Sequence, residues 1–419
     1  MRRGKGLIED ICKRAKAASV QMVGLSAEQR NSALCCMADA LEANVDDILL
    51  ANAVDVRAAE GRGLKAALLD RLSLDQKKVG NMARELREVA ALADPIGTVL
   101  SSYVHPNGLI IKQLRVPMGV VGVIYESRPN VTSDSAGVCV KSGNAVILRG
   151  GSDALQSNLC IGKILREALL NTDVPVDAVQ VVNSSDRRDA EELMGMRRYI
   201  DVLIPRGGAD LINTVIEKSK IPVIETGTGN CHIYLEEDTD LDMALPIIIN
   251  AKTQRPGVCN AAEKLLINSK IAEKYLPKII TELRKYKVEI RGDQKTCQIM
   301  PDVIEATEQD WYTEYLDLII GIKIVEDLTE AISHINKYGT KHSEAIITYD
   351  AAKAARFMQE IDSAAVYWNA STRFTDGNQF GLGTEIGIST QKLHARGPMS
   401  IQHLTTTKHV IEGNGQTRK

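Results

Sequence analysis

The sequence has few aromatic rings, no large excess of either charge and no long apolar run. Three phenylalanines and two tryptophans occur in 419 residues, too few for the stacking platforms on which proteins bind single-stranded nucleic acid. The formal net charge of −3 provides no basic field for nucleic acid or an anionic membrane. We therefore expect neither among its partners.

Paired metal or disulfide motifs are also missing. The eight cysteines contain no C-x-x-C pair, and the seven histidines are scattered, which favours neither a metal site nor a disulfide framework. The basic start, MRRGK, is not followed by a long apolar stretch, so we predict neither a secretory signal nor a membrane span. We expect a reduced, cytoplasmic protein with no bound metal.

The pattern of apolar residues changes along the chain. Helical spacing fills the first 100 residues, where SAEQ (Ser26–Gln29) has the capping-box pattern of a helix start. From about residue 119, short β-branched strands alternate with helices, which is typical of βαβ units around a parallel sheet. Two strand-like segments, 108–117 and 400–411, lie outside this alternation and could pair with each other or with a second subunit. The predicted strands are GVVGVIYE, NAVILRG, VQVVN, DVLIPRG and IPVIETG, followed by a second series from AEKLLINS to SAAVYWN.

Two strand-to-helix junctions look alike. Glycines there would let a ligand approach the backbone, and a helix N-terminus suits phosphate. We predict a nucleotide site at these junctions, although each Gly-Gly pair could be only a tight turn. The first junction, ILRGGSDAL, contains Arg149, Gly150, Gly151 and Ser152, and the second, LIPRGGADL, contains Arg206, Gly207 and Gly208.

A further stretch, QRPGVCNAAE, places Cys259 two residues after a glycine. On its own this pattern fits either a buried core cysteine or a nucleophile.

Taken together, the stretches resemble the aldehyde dehydrogenase superfamily from end to end, and within it the γ-glutamyl phosphate reductase family. The resemblance rests on the collinear stretches YESRPNVTSDSAG, GNAVILRGG, LIPRGGADLI, ETGTGNCH, QRPGVCNAAE, VEDLTEAISHINKYGTKHSEAI and GNQFGLGTEIGIST. It implies an α/β fold with two doubly wound domains and a small β extension. The implied domains are 1–99 with 118–227 for the cofactor, 228–398 for the nucleophile, and 100–117 with 399–419 for oligomerisation.

The same resemblance implies roles for individual residues. Cys259 matches the nucleophile, Asn130 the amide that holds the oxyanion, and Glu225 the general base of hydrolytic members. Asn130 could instead cap the following helix, Glu225 could be an ordinary strand-end carboxylate, and the KHSE stretch could be a solvated turn. The residues implied for the cofactor are Arg149, Gly150, Gly151, Ser152, Arg206, Gly207, Gly208 and Glu314.

The implied reaction is NADPH-dependent reduction of L-glutamyl 5-phosphate to L-glutamate 5-semialdehyde and phosphate in proline biosynthesis, through a thioester on Cys259. NADP(H) is favoured because Ser152 stands where NAD-preferring relatives often carry a glutamate, so no carboxylate repels a 2′-phosphate. One alternative is a non-phosphorylating aldehyde dehydrogenase that uses water and Glu225. Another is a binding protein that has kept the fold without catalysis.

The sequence does not decide which residues bind the substrate or which oligomer forms. An amino-acid substrate needs groups for its carboxylate and its ammonium, and the sequence does not choose between the candidates. We expect a homodimer or tetramer, which could associate with glutamate 5-kinase. The candidates are Arg128, Arg255 and Arg373 for the carboxylate, and Glu126 and Glu385 for the ammonium.

Overall fold

The computed structural model describes residues 6–64 and 66–418, so the basic start, MRRGK, lies outside it. The chain divides into two compact units. It passes from the first to the second between Thr226 and Gly227. The first unit comprises Met1–Thr226, Gly381–Gly387 and Met399–Lys419, and the second comprises Gly227–Phe380 and Ile388–Pro398.

Helices open the first unit, and strands alternate with helices after them. The capping box predicted at SAEQ is present, since Ser26 and Gln29 each accept the other's backbone N–H. The elements are α1 (Leu7–Met22), α2 (Ala27–Ala43), α3 (Val45–Gly61), α4 (Ala66–Leu72), α5 (Gln76–Ala91), β1 (Val99–Val104), β2 (Ile110–Pro117), β3 (Val120–Tyr125), α6 (Asn130–Lys141), β4 (Ala145–Gly150), α7 (Leu155–Leu169), β5 (Val179–Val181), α8 (Arg187–Met194), β6 (Val202–Arg206) and α9 (Ala209–Lys218).

Two sheets form in this unit. The parallel sheet has the order β5-β4-β3-β6, and every residue of β3 and β4 is buried, as expected of strands covered on both faces. The other sheet is antiparallel: β2 lies between β1 and the late strand Thr405–Glu412. The two strand-like segments outside the alternation therefore pair with each other.

The second unit is built on a seven-stranded parallel sheet. Its elements are β7 (Cys231–Leu235), α10 (Leu241–Thr253), β8 (Ala262–Asn268), α11 (Ser269–Lys285), β9 (Glu289–Gly292), α12 (Gln294–Ile299), β10 (Ile304–Glu305), α13 (Glu308–Tyr312), β11 (Ile319–Val325), α14 (Leu328–Tyr338), β12 (Ser343–Ile347), α15 (Ala351–Glu360) and β13 (Ala365–Trp368). The strand order is β10-β9-β11-β8-β7-β12-β13. Beyond it, β14 (Gly387–Ser389) and β15 (Gly397–Met399) form a two-stranded sheet, and the late strand of the first unit is β16.

Both faces of the seven-stranded sheet carry an apolar core, because successive strand residues point to opposite faces. Leu265 and Ile267 of β8 pack with residues of α10 and α11, whereas Leu266 packs with residues of α14 and α15. This arrangement confirms the predicted α/β class with parallel sheets. Within the described residues, no helix is long and apolar enough to cross a membrane.

Three strand expectations differ from the structure. IPVIETG forms only an isolated bridge, Leu203–Val223, with β6; Pro222 has no N–H to extend the pairing. The pattern does not predict β7, which directly follows the glycine-rich ETGTGN. β1 falls almost wholly within the β extension that the resemblance implies from residue 100, but its residues are all exposed, so no apolar alternation marks it as a strand.

Candidate active site

The two Gly-Gly junctions of the first unit flank the same strand end. β3 pairs with β4 on one side and with β6 on the other. The Gly151 N–H donates to the Tyr125 carbonyl over 2.7 Å, and the Glu126 N–H donates to the Arg206 carbonyl over 3.0 Å. Ligands of open α/β sheets bind at the carboxyl ends of strands, where the strand order reverses. The junctions occupy such a position.

Packing explains two of the glycines, and open space surrounds a third. A Cβ at Gly150 would lie 2.1 Å from Asn158 Nδ2, and one at Gly207 would lie 2.6 Å from Glu126 Oε2. At Gly208, the N-cap of α9, nothing lies within 4 Å of the Cβ position. The space beside the Gly208 Cα at the start of α9 is therefore open. The Glu126 carboxylate, a candidate for the ammonium, accepts the Gly208 N–H over 3.4 Å and so lies with the residues predicted for the cofactor.

At the first junction, Arg149 is buried. Its Nη2 donates to the carbonyls of Ser185 and Asp186 over 2.9 and 3.1 Å, and its Nε has no hydrogen-bond partner. Burial lowers the pKa of the Arg149 guanidinium. Ser152, in contrast, is exposed and begins a 3₁₀ turn, Ser152–Ala154. A side chain introduced at Ser152 therefore need not displace the core.

Asn130 is the first residue of α6, and its side chain does not cap the helix. The N-cap is Pro129, with no side-chain capping bond, so the capping alternative is wrong. Instead, Asn130 Nδ2 donates to Asp134 Oδ2 over 2.7 Å. The remaining candidates of this unit, Arg128, Glu225 and Glu385, are half-buried.

In the second unit, Cys259 lies in the turn between α10 and β8 and is half-buried. Its carbonyl oxygen accepts the Cys231 thiol over 3.1 Å. Burial raises the pKa of the Cys231 thiol, so this thiol stays protonated and keeps donating at neutral pH. On another side, a Cβ at Gly229 would lie 1.4 Å from the Cys259 oxygen. Two neighbours therefore fix the backbone of Cys259.

The segment that carries Gly229 is anchored in turn. Glu314 Oε1 accepts the Gly229 N–H over 2.6 Å. The next residue, Asn230, is buried and donates to the carbonyls of Trp311 and Tyr338 over 2.7 and 2.8 Å. Its Oδ1 accepts the buried Lys264 ammonium over 2.8 Å. Glu314, predicted to hold the cofactor ribose, thus also supports the backbone that contacts Cys259.

One arginine interacts with Cys259 through its charge. Arg373 Nε donates to Gln254 Oε1 over 2.9 Å, and its Nη1 donates to the Asn260 side chain. Burial lowers the pKa of Arg373 and the charge of Arg255 lowers it further, whereas Asp376 and Cys259 raise it. Arg373 therefore lies close enough to both Arg255 and Cys259 for their charges to interact. Both arginines were candidates for the substrate carboxylate.

The KHSE stretch is not a solvated turn, because His342, Ser343 and Glu344 are all buried. His342 Nδ1 lies 2.8 Å from Ser343 Oγ and 3.8 Å from Cys231 Sγ. The Glu344 carboxylate accepts the backbone N–H of His232 over 2.7 Å. The stretch therefore belongs to the buried polar network beside Cys231.

The sequence does not single out several of these supporting residues. A helix spacing of four, Asn130 to Asp134, is the signal that could have indicated the first pair. Nothing local indicates that Gly229 contacts Cys259, since 30 positions separate them. No group of three or more potential metal ligands occurs in residues 6–64 and 66–418. Cys12, Cys139 and Cys231 are the buried cysteines.

Comparison with known proteins adds independent information. The model of the "Aldehyde dehydrogenase family" matches residues 2–320. A γ-glutamyl phosphate reductase of Caldanaerobacter subterraneus subsp. tengcongensis is 56% identical over 412 residues, covering 98% of this chain and 100% of the relative. One from Dictyoglomus thermophilum is 54% identical over 415 residues, 99% of this chain and 100% of the relative.

Solved structures agree with the sequence relatives. The crystal structure of γ-glutamyl phosphate reductase from Thermotoga maritima has a TM-score of 0.95 and 50% identity, covering 98% of this chain and 100% of that chain. An engineered glycolyl-CoA reductase with bound NADP+ has a TM-score of 0.69 and 16% identity, with 96% of each chain covered. The second likeness shows a shared fold.

Proposed function

The chain belongs to the aldehyde dehydrogenase family and, within it, to the γ-glutamyl phosphate reductases of proline biosynthesis, and we propose that it reduces L-glutamyl 5-phosphate with NADPH through a thioester on Cys259. The observation that carries this proposal is the setting of Cys259. Its backbone is fixed by Gly229 and Cys231, and Arg373 lies close enough for its charge to interact with Cys259.

Cys259 performs the covalent chemistry in this proposal. The thiolate attacks the acyl carbon of the substrate, and the bond from that carbon to the phosphate oxygen breaks, so phosphate leaves with the electron pair. The amide N–H of Asn130 donates to the acyl oxygen as it becomes negative. Arg255 and Arg373 favour the thiolate and balance the charge of the phosphate.

The second half of the reaction releases the aldehyde. A reduced nicotinamide held by the residues of the two junctions would supply the hydride that the thioester carbon needs. The carbon–sulfur bond then breaks, which frees the aldehyde and returns the thiolate of Cys259. No water is needed to cleave the thioester, so Glu225 has no required role as an activating base. In the oxidative direction, phosphate takes the acyl group.

The residues at the two junctions fit a nicotinamide dinucleotide. The space beside the Gly208 Cα at the start of α9 is open, and the buried Arg149 Nε is a donor without a partner. The NADP+ bound by a solved protein of the same fold supports NADP(H) as the cofactor. The residues proposed to hold it are Arg149, Gly150, Gly151, Ser152, Arg206, Gly207, Gly208 and Glu314.

Phosphate dependence tests the proposed function. We expect the protein to reduce NADP+ with L-glutamate 5-semialdehyde only when phosphate is present, because phosphate must take the acyl group from Cys259. The measurement is NADPH absorbance against phosphate concentration. Sustained turnover without phosphate would favour the non-phosphorylating alternative, and no turnover under either condition would favour a binding protein.

Cofactor preference should respond to Ser152. We expect Ser152→Glu to weaken NADPH binding at least about tenfold, or about 1.4 kcal/mol, because the added carboxylate would repel the 2′-phosphate. NADH binding should change little, and the uncharged Ser152→Gln should leave the preference intact. Fluorescence titration of both cofactors measures the effect. Equal losses for NADPH and NADH would show that Ser152 does not lie beside the 2′-phosphate.

The three-stranded sheet is proposed to mediate oligomerisation. β1 and β16 form its edges, and Val104 of β1 is 68% exposed, so a second copy could cover this edge. We expect a dimer or larger assembly at micromolar concentration in sedimentation experiments. Val104→Asp should shift it towards monomer, whereas Val104→Thr should not. A monomeric wild-type protein would contradict this assignment.

A further inference from the structure

One hydrogen bond joins the proposed oxyanion donor to a carboxyl group that the mechanism has not used. Asn130 and Asp134 stand four residues apart on α6, on the same face of the helix. Asn130 Nδ2 donates to Asp134 Oδ2 over 2.7 Å, at the short end of the range for N–H···O bonds. The contact lies entirely within the first unit.

This bond orients the Asn130 amide. The amide has two N–H donors and one carbonyl acceptor, and exchanging them by a flip would turn the carbonyl towards Asp134. An acceptor at Asp134 therefore favours the orientation in which nitrogen faces it. One N–H is then engaged and the other is left for the acyl oxygen of a substrate.

The Asp134 carboxyl is itself held in place. Ser133 Oγ donates to the Asn130 carbonyl over 2.8 Å and lies 3.2 Å from Asp134 Oδ1. Each oxygen of the carboxyl thus has a hydrogen-bonding neighbour on α6. Because both bonds come from α6 itself, the first turn of the helix fixes Asn130 and Asp134 together.

The charges around Asp134 suit a group beside a developing oxyanion. Burial raises the pKa of Asp134 well above its ordinary value, and Glu85 raises it further. Hydrogen bonds from Asn130 and Ser133 and the charge of Arg206 oppose this shift. A raised pKa disfavours the charged form of the carboxyl and so disfavours negative charge near an oxygen that becomes negative. Asparagine keeps a carbonyl acceptor and carries no charge.

We propose that Asp134 is a positioning residue that orients the Asn130 amide towards the acyl oxygen of the substrate. This inference rests on the proposed function, in which Asn130 is the oxyanion donor. Asp134 acts through Asn130 and not by contact with the substrate.

The test is a double-mutant cycle on kcat and KM for L-glutamyl 5-phosphate. Asn130→Ala is expected to lower kcat about 100-fold, and Asp134→Leu about 10-fold or more, with KM nearly unchanged. The double variant should be no slower than Asn130→Ala alone, because Asp134 has nothing left to orient. Asp134→Asn keeps the acceptor and should retain kcat within about threefold of wild type. If Asp134→Leu does not fold, Asp134→Ala takes its place in the cycle.

The control and the contrary outcomes separate this inference from the proposed function. Ser135→Ala lies in the same helix and removes a buried hydroxyl that has no hydrogen-bond partner, so it should leave kcat unchanged. Independent, multiplying losses at Asn130 and Asp134 would overturn only the positioning role. A large rise of KM in Asp134→Asn would do the same, since it would mean that the carboxylate binds the substrate ammonium. Full activity of Asn130→Ala would instead remove the oxyanion assignment itself.

Discussion

Replacing Cys259 with serine is expected to lower kcat for reduction of the acyl phosphate at least about a thousandfold. A serine hydroxyl is not ionised near neutral pH, so the attacking anion is lost although the side chains have similar size. NADPH binding should remain close to wild type, because the role of Cys259 is covalent chemistry. Steady-state kinetics with a parallel NADPH titration measures both quantities.

Cys297→Ser is the matched control. Cys297 is also half-buried, and its thiol donates to the backbone carbonyl of Gly292. Wild-type kcat is expected for this variant. Iodoacetamide should modify Cys259 fastest among the thiols, and substrate should protect it. Substantial turnover by Cys259→Ser would remove the basis of the proposed mechanism.

The second large effect is expected at Gly229. A Cβ there would lie 1.4 Å from the Cys259 oxygen, 2.3 Å from its carbonyl carbon and 2.6 Å from its Cα. These are backbone atoms, so Gly229→Ala must move the nucleophile itself. A misplacement of about 1 Å can cost a hundredfold in rate, and we expect a loss of at least that size in kcat, with overpacking costing about 1–3 kcal/mol of stability.

Gly80→Ala controls for the general effect of adding a methyl group. Nothing lies within 4 Å of the Cβ position at Gly80, which is in α5, and alanine in a helix interior should stabilise by about 0.5–1 kcal/mol. Thermal unfolding and kcat are measured on the same samples. A Gly229→Ala protein with wild-type kcat would show that the backbone contact does not position Cys259.

Strand alternation made the fold predictable wherever strands are buried on both faces. β3 and β4 are buried at every position, and their apolar runs, VVGVIY and AVIL, are visible in the sequence. The apolar pattern does not identify the exposed strand β1, and it predicts a full strand around Val223, where pairing with β6 stops after one bridge. In both segments, strand pairing depends on residues distant in the sequence and not on the local pattern.

Motif comparison singled out Cys259, the proposed nucleophile, but not the residues that hold it in place. Cys259 stands in a recognisable local stretch, whereas Gly229 and Cys231 become its neighbours only because β7 and β8 pair. The KHSE stretch shows the same limit, since its sequence fits a solvated turn, yet His342, Ser343 and Glu344 are buried. The family resemblance thus indicates candidate site residues, whereas the contacts that orient them depend on the fold.

Trapping the acyl enzyme tests the central claim most directly. The protein is mixed with L-glutamate 5-semialdehyde and NADP+ in the absence of phosphate, NADPH is followed in the first turnover, and the quenched protein is digested for mass spectrometry. The account predicts a burst of at most one NADPH per subunit and a glutamyl group on the peptide that contains Cys259, with turnover resuming when phosphate is added. A glutamyl group on a different residue, or continued NADPH formation without phosphate, would contradict it.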